Sequence, residues 1–197
     1  MEGKRKRGSL SKREKLIQAA LELFGKNGIH ATGIDAIVER SGITKKTLYA
    51  HFRSKEELVL AVLHQYDGMA RNEFMRRVEG AGKTPKARLF AIFDFAERWF
   101  QQRNFYGCLF INTIGEYSDD DTPIRQICQD YKKLVKDYIY TLCVQTGASD
   151  PNGLAEELAL LLEGATVSAQ VSQNPKIAKI AKRAAKVLIE KALSKVG

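Results

Sequence analysis

The sequence predicts an all-α protein in which a small N-terminal three-helix unit is followed by a larger helical domain, about nine helices in all. Three observations lead there. Apolar residues recur at spacings of three and four from Ser11 onward, no stretch of useful length alternates apolar with polar residues as a strand does, and every proline follows a helix-capping residue. At 197 residues and 44% hydrophobic content, the chain can bury a sizeable core.

The first ten residues, with Lys4-Arg5-Lys6-Arg7 and two glycines, are too polar to fold and are expected to form a flexible basic arm, either a solvated tail or a DNA-contacting one. Ser11-Lys12-Arg13-Glu14 has the spacing of a capping box. It opens a helix with Leu16, Ile17, Ala20, Leu21 and Phe24 on one stripe, closed by Asn27-Gly28. Ile34, Ile37 and Val38 form the inner stripe of a short helix ending at Ser41-Gly42; Thr44 then caps a second, anchored by Leu48 and Phe52. A second box, Ser54-Lys55-Glu56-Glu57, opens a helix through Leu58, Val62, Leu63 and Tyr66 toward Arg77. Thr84-Pro85, Thr122-Pro123, Asp150-Pro151 and Asn174-Pro175 each read as a helix start, because proline at the first helical position forfeits only an N–H that has no partner there. The apolar segments Leu89 to Phe100 and Cys108 to Ile111 are expected at the centre of the second domain. The expected division is a flexible arm over 1–10, a DNA-binding unit over 11–53 and a helical domain over 54–197.

Charge is unevenly distributed. Residues 1–53 hold 12 Lys+Arg against 5 Asp+Glu, or +7, and the remainder holds 20 against 18, or +2. A field concentrated at one end favours a polyanion docking there. No run approaches the roughly 18 apolar residues of a membrane span, and the basic start lacks a signal-peptide core, so a cytoplasmic protein is expected. Cys108, Cys128 and Cys143 are odd in number and widely spaced, and the chain has three histidines, which argues against a disulfide framework or a zinc site; neither metal nor cofactor is expected. An enzyme would need a nucleophile with its base, paired carboxylates or a metal cluster. The one acidic cluster, Asp119-Asp120-Asp121, reads instead as a loop before a helix N-terminus.

Residues Ile34 to Phe52 have the pattern of a helix-turn-helix, with Gly42 permitting the sharp turn. Once Ile43, Leu48 and Phe52 face the core, the second helix presents Thr44, Lys45, Lys46, Thr47, Tyr49 and His51, a set of donors, cations and an aromatic suited to a major groove. His51 reads equally as a groove contact and as a residue packed beside Phe52. His30 and His64 read as surface or interface residues.

The run Gly42-Ile43-Thr44-Lys45-Lys46-Thr47-Leu48-Tyr49-Ala50-His51-Phe52-Arg53-Ser54-Lys55-Glu56-Glu57-Leu58 closely resembles the signature of the TetR family of transcriptional regulators. Lys15-Leu16-Ile17-Gln18-Ala19-Ala20 with Leu23-Phe24 and Gly28 resembles that family's first helix. The resemblance covers residues 12–64 and implies phosphate contacts from Thr32, Gly33 and Lys55 and groove contacts from Thr44, Lys45, Lys46, Thr47, Tyr49 and His51.

A helix-turn-helix reads a short half-site, so useful specificity calls for two copies on a palindromic operator. The last two helices offer Leu158, Leu161, Leu162, Ala165 and Ala169, and Ile180, Ala184, Val187 and Leu188; the resemblance implies that they pair with their symmetry mates, and the alternative is that they complete the monomer core. The aromatic middle of the chain, with Trp99, Phe100 and Tyr131 beside Cys108, Asn112 and Glu116, reads as an effector pocket or as plain core. Glu116 has Arg98 and Arg103 as alternative partners. Gly107-Cys108-Leu109 with Asn112 and Glu116 resembles a run found in some TetR-like regulators, so Cys108 reads either as a reactive sensor or as an inert buried thiol. The expected function is that of a homodimeric regulator of transcription, a repressor released from a palindromic operator by a small-molecule effector, with no membrane partner. The alternative is an architectural DNA-binding protein without a ligand.

Overall fold

The computed structural model describes residues 10–117 and 122–194, and these form nine α-helices and no strand. In chain order they are α1 (Lys12–Asn27), α2 (Ile34–Ser41), α3 (Lys45–His51), α4 (Lys55–Ala81), α5 (Pro85–Phe100), α6 (Leu109–Glu116), α7 (Pro123–Gln145), α8 (Pro151–Ser172) and α9 (Ile177–Ser194). The arm through Ser9 and the Asp119–Asp121 cluster lie outside the described residues.

Side-chain caps begin most helices where the sequence places them. Ser11 and Glu14 complete a reciprocal capping box at α1. Ser54 accepts from the Glu57 N–H at α4, but the Glu57 carboxylate turns back to the Arg53 N–H at 2.7 Å, so the second box closes one residue upstream of its expected partner. Thr84, Thr122 and Asp150 cap the helices that begin at Pro85, Pro123 and Pro151. The fourth pair departs from this rule. Asn174 Oδ1 accepts from the Lys176 N–H in a local turn, and α9 starts only at Ile177.

Two hydrophobic cores are stacked along the molecule. The lower joins α1, α2, α3 and the first half of α4 through Leu16, Ile17, Phe24, Ile37, Leu48, Phe52 and Leu58, and it also takes in Leu109 and Phe110 of α6 and Ile124 and Ile127 of α7. The upper holds the second half of α4 with α5, α7, α8 and α9 around Phe74, Leu89, Ile92, Ile139, Leu158 and Ile189. Thus α4 and α7 run through both cores, and Trp99 packs against the edges of both. Displacement of α4 in one core must therefore be accommodated in the other, because close-packed interiors transmit strain. Ion pairs from Lys182 to Asp94 (2.5 Å) and Lys179 to Glu97 (3.3 Å) tie α9 across α5.

Candidate nucleic-acid interface and effector cavity

At the lower end, α2 stops at Gly42, whose φ of 66° places it in the left-handed region that glycine adopts without strain. Ile43 and buried Leu48 and Phe52 then hold α3 against the lower core, and the Arg13 guanidinium covers the Phe52 ring at 5.2 Å. The rest of α3 faces outward except half-buried Thr47. Thr44 accepts from the Thr47 N–H, and the two hydroxyls lie 3.0 Å apart; Lys46, Tyr49 and His51 are exposed, Tyr49 at 47%. Lys45 is also exposed but bonds Asp35 of α2 at 2.9 Å, which raises its pKa above the ordinary lysine value. Lys55 Nζ sits 3.4 Å from the His30 carbonyl at the start of α4. Gly33 is exposed at the N-cap of α2, with open space around it. Thr32 differs from expectation. It is buried, its hydroxyl donates to the Gly28 carbonyl at 2.6 Å and its N–H to the Ile29 carbonyl, so the turn itself consumes its hydroxyl and its N–H.

Above this face, Glu116 at the end of α6 accepts from the Ile29 N–H at 2.8 Å and the His30 N–H at 2.5 Å, in the turn between α1 and α2. The His30 ring packs on Tyr117 with centroids 4.9 Å apart, its Nδ1 3.8 Å from the Glu116 carboxylate. Glu116 therefore latches α6 to the α1–α2 turn rather than pairing with Arg98 or Arg103. Asn112 is likewise engaged locally: it donates to the Tyr106 carbonyl and accepts from Gln170 of α8.

A cavity of about 420 Å³ opens between α4, α5, α7 and α8. From α4 it is lined by Tyr66, Met69, Ala70, Glu73, Phe74 and Arg77; from α5 and its end by Phe95, Arg98, Trp99 and Gln102; from α7 and α8 by Tyr131, Val135 and Leu162. Of the six pocket residues expected from sequence, Trp99 and Tyr131 belong here. Phe100, Asn112 and Glu116 border a separate and larger crevice of about 620 Å³, similarly open, between α1 and the end of α8, and Cys108 borders a small void of about 50 Å³ beside Lys132. The three cysteines are buried and unbonded; burial pushes the Cys128 and Cys143 thiols up to about 12.

Residues 16–62 match the family described as bacterial regulatory proteins of the tetR family, and residues 85–185 match the tetracyclin repressor-like C-terminal domain. The chain belongs to the TetR family. The HTH-type regulator YerO of Bacillus subtilis (strain 168) is 43% identical over 77 residues, covering 38% of this chain and 26% of that protein. The HTH-type transcriptional activator FasR of Mycolicibacterium smegmatis is 39% identical over 89 residues, covering 44% of this chain and 41% of FasR. The chain thus spans well under half the length of these two relatives. The crystal structure of SCO4454, a TetR-family transcriptional regulator from Streptomyces coelicolor, superimposes with a TM-score of 0.86 at 26% identity, covering 92% of this chain and 96% of that one. This TetR-family chain is therefore a DNA-binding helix-turn-helix regulator of transcription. No helix among the described residues is long and apolar enough to cross a membrane.

In this TetR-family fold, α8 carries two apolar stripes. Leu158, Ala165 and Ala169, expected at a dimer face, are buried in the chain's own upper core, and Leu161 and Leu162 pack against it. The exposed stripe is offset from them: Leu160 (72%), Val167 and Val171 (80%), with Gly164 and Ser168 between. On α9, Ile180, Ala184 and Val187 are exposed in the single chain, Val187 at 63%, while Leu188 turns partly inward.

Proposed function

We propose that the chain acts in the cytoplasm as a homodimeric, sequence-specific repressor, released from a palindromic operator by a small molecule bound in the α4–α5–α7–α8 cavity. The observation that carries the DNA-binding part is the outward face of α3, where Lys46, Tyr49 and His51 stand exposed while Leu48 and Phe52 are held in the core. Lys45, Thr44 and Thr47 complete the groove set; Gly33 and Lys55 flank it for phosphate, and Thr32 acts by shaping the turn beneath them. The functional division keeps the arm (1–10) and the reading unit (11–53) distinct from the regulatory helices (54–197), although the lower core crosses that boundary.

Dimerisation is supported by the exposed apolar rows Leu160–Val167–Val171 and Ile180–Ala184–Val187, an uncommon surface for helices that face water. Gly164, with open space around it, lets a partner helix approach closely. Release follows by population shift: the effector must bind better to a dimer whose recognition helices are wrongly spaced for adjacent major grooves. Helix α4 suits the role of lever, since its first half packs under the reading unit and its second half lines the cavity. FasR, similar over 89 residues, is an activator by name; the sign depends on where the operator lies. Selection of duplexes from a random pool at stated salt, with sedimentation of the complex, tests this reading. A two-fold symmetric site bound by an even number of chains is expected; salt-sensitive binding without sequence preference would favour the architectural alternative.

A further inference from the structure

The charge balance of the α4–α5–α7–α8 cavity identifies a chemical class of effector. Its apolar walls are aromatic: Phe74 and Phe95 meet edge to face at 5.2 Å, and Phe95 lies against Trp99 at 6.4 Å in near-parallel orientation. Such walls accept flat rings, and by their quadrupoles they also accept cations. The carboxylates nearby are already matched. Glu73, the acidic residue in the lining, accepts from both Arg76 and Arg77, and Asp67 one turn below holds Arg71 through two bonds of 3.0 Å. A bound cation would have to displace an arginine to gain a counter-charge.

The unmatched groups are donors. Arg98, exposed at the rim, has no ion pair or hydrogen bond among the described residues. Tyr66 and Tyr131 flank Phe110 with ring centroids 5.7 and 3.9 Å from its own, and their hydroxyls bond no acceptor among the described residues. Burial raises both phenol pKa values, Tyr66 to about 12, so both remain protonated donors at neutral pH. We propose that this cavity takes a planar aromatic acid, its rings against Phe74, Phe95 and Trp99, its carboxylate on Arg98, and any acceptor further along the molecule meeting Tyr66 and Tyr131. The inference rests on the effector-cavity reading above. A charge-assisted bond to a carboxylate is roughly twice as strong as a neutral one, so Arg98 favours the acid over its neutral analogues.

The test uses the full chain and three probes of one shape: 2-naphthoate, 2-naphthalenemethanol and 2-naphthylmethylammonium. Trp99 is the chain's sole tryptophan and lines the cavity, so its emission reports occupancy, with calorimetry as an independent readout. Naphthoate is expected to bind about three- to fivefold tighter than the alcohol, as an ion pair to an exposed arginine allows, with the ammonium weakest. Arg98→Gln should bring naphthoate to within about twofold of the alcohol while Arg98→Lys keeps most of the preference, and Ala70→Phe should abolish all three by filling the space. Equal or tighter binding of the alcohol or the ammonium, or a preference that survives Arg98→Gln, overturns the acid class yet leaves the cavity in use. Failure of all three probes to bind overturns the effector-cavity reading as well.

Discussion

Replacing Glu116 by Ala removes the acceptor that joins α6 to the α1–α2 turn across 86 and 87 residues of sequence. A hydrogen bond to a charged group contributes about 1.5–3 kcal/mol, and a buried donor left without a partner costs a further 1–3 kcal/mol or so. The two bonds are not equivalent. Ile29 is buried, so its N–H would remain unpaired, whereas His30 is exposed and its N–H can turn to water. The carboxylate is itself 23% exposed, which discounts its charge. The expected loss is therefore about 2–4 kcal/mol, with Glu116→Gln, which keeps one acceptor oxygen, losing about half as much. Urea unfolding at fixed protomer concentration, followed by Trp99 emission and far-UV circular dichroism, measures it. If the latch transmits the effector signal, Glu116→Ala should also bind operator while responding less to effector. A stability loss below about 0.5 kcal/mol for Glu116→Ala would refute the argument, since it would mean that water replaces the carboxylate at both amides.

Lys46→Ala should lower operator affinity for all sequences alike and reduce the slope of log K against log salt by about 1, whereas Tyr49→Ala should change which sequences are preferred; fluorescence anisotropy at several salt concentrations separates the two effects. Val171→Glu and Val187→Glu should each shift sedimentation toward the monomer and weaken operator binding without lowering helicity, because both side chains stand in solvent in the single chain. Cys128 and Cys143 should resist a thiol-reactive disulfide in the native protein at pH 8 and react once unfolded in urea, as buried groups held near 12 carry almost no thiolate. The same groups set a pH trend. Their folded-state pKa lies above the ordinary thiol value of about 8.5, so the folded chain keeps protons that the unfolded chain releases, and stability should fall as pH rises from about 9 toward 12. Thermal melts across that range should show a monotonic decline.

The lower end of the molecule was legible because its signals are local. A capping box, a left-handed glycine and an outward set on a short helix each depend on residues a few positions apart, and Ser11, Gly42 and Thr44 behave as their spacing requires. The latch role of Glu116 is not legible in the sequence, because its partners are backbone amides far away along the chain and no side-chain pattern announces a backbone donor. Thr32 is ambiguous for the reverse reason: a hydroxyl at a helix start has the chemistry of a phosphate contact, yet a carbonyl four residues earlier takes it.

Helix α8 shows where periodicity itself stops being informative. A helix with one apolar stripe can be assigned a buried face from sequence, but α8 is apolar on two, and spacing cannot say which stripe the chain keeps for itself. Packing resolves the choice. Leu154, Leu158, Ala165 and Ala169 bring α8 against α7 and α9 within the upper core, while Leu160, Val167 and Val171 remain outside. The stripe richer in alanine is the one used internally, where small side chains let neighbouring helices pack closely, and the branched stripe is left to the surface. A second apolar stripe that the monomer does not consume is the feature by which a sequence of this kind signals a partner. Helix α9 carries a comparable exposed row, Ile180, Ala184 and Val187.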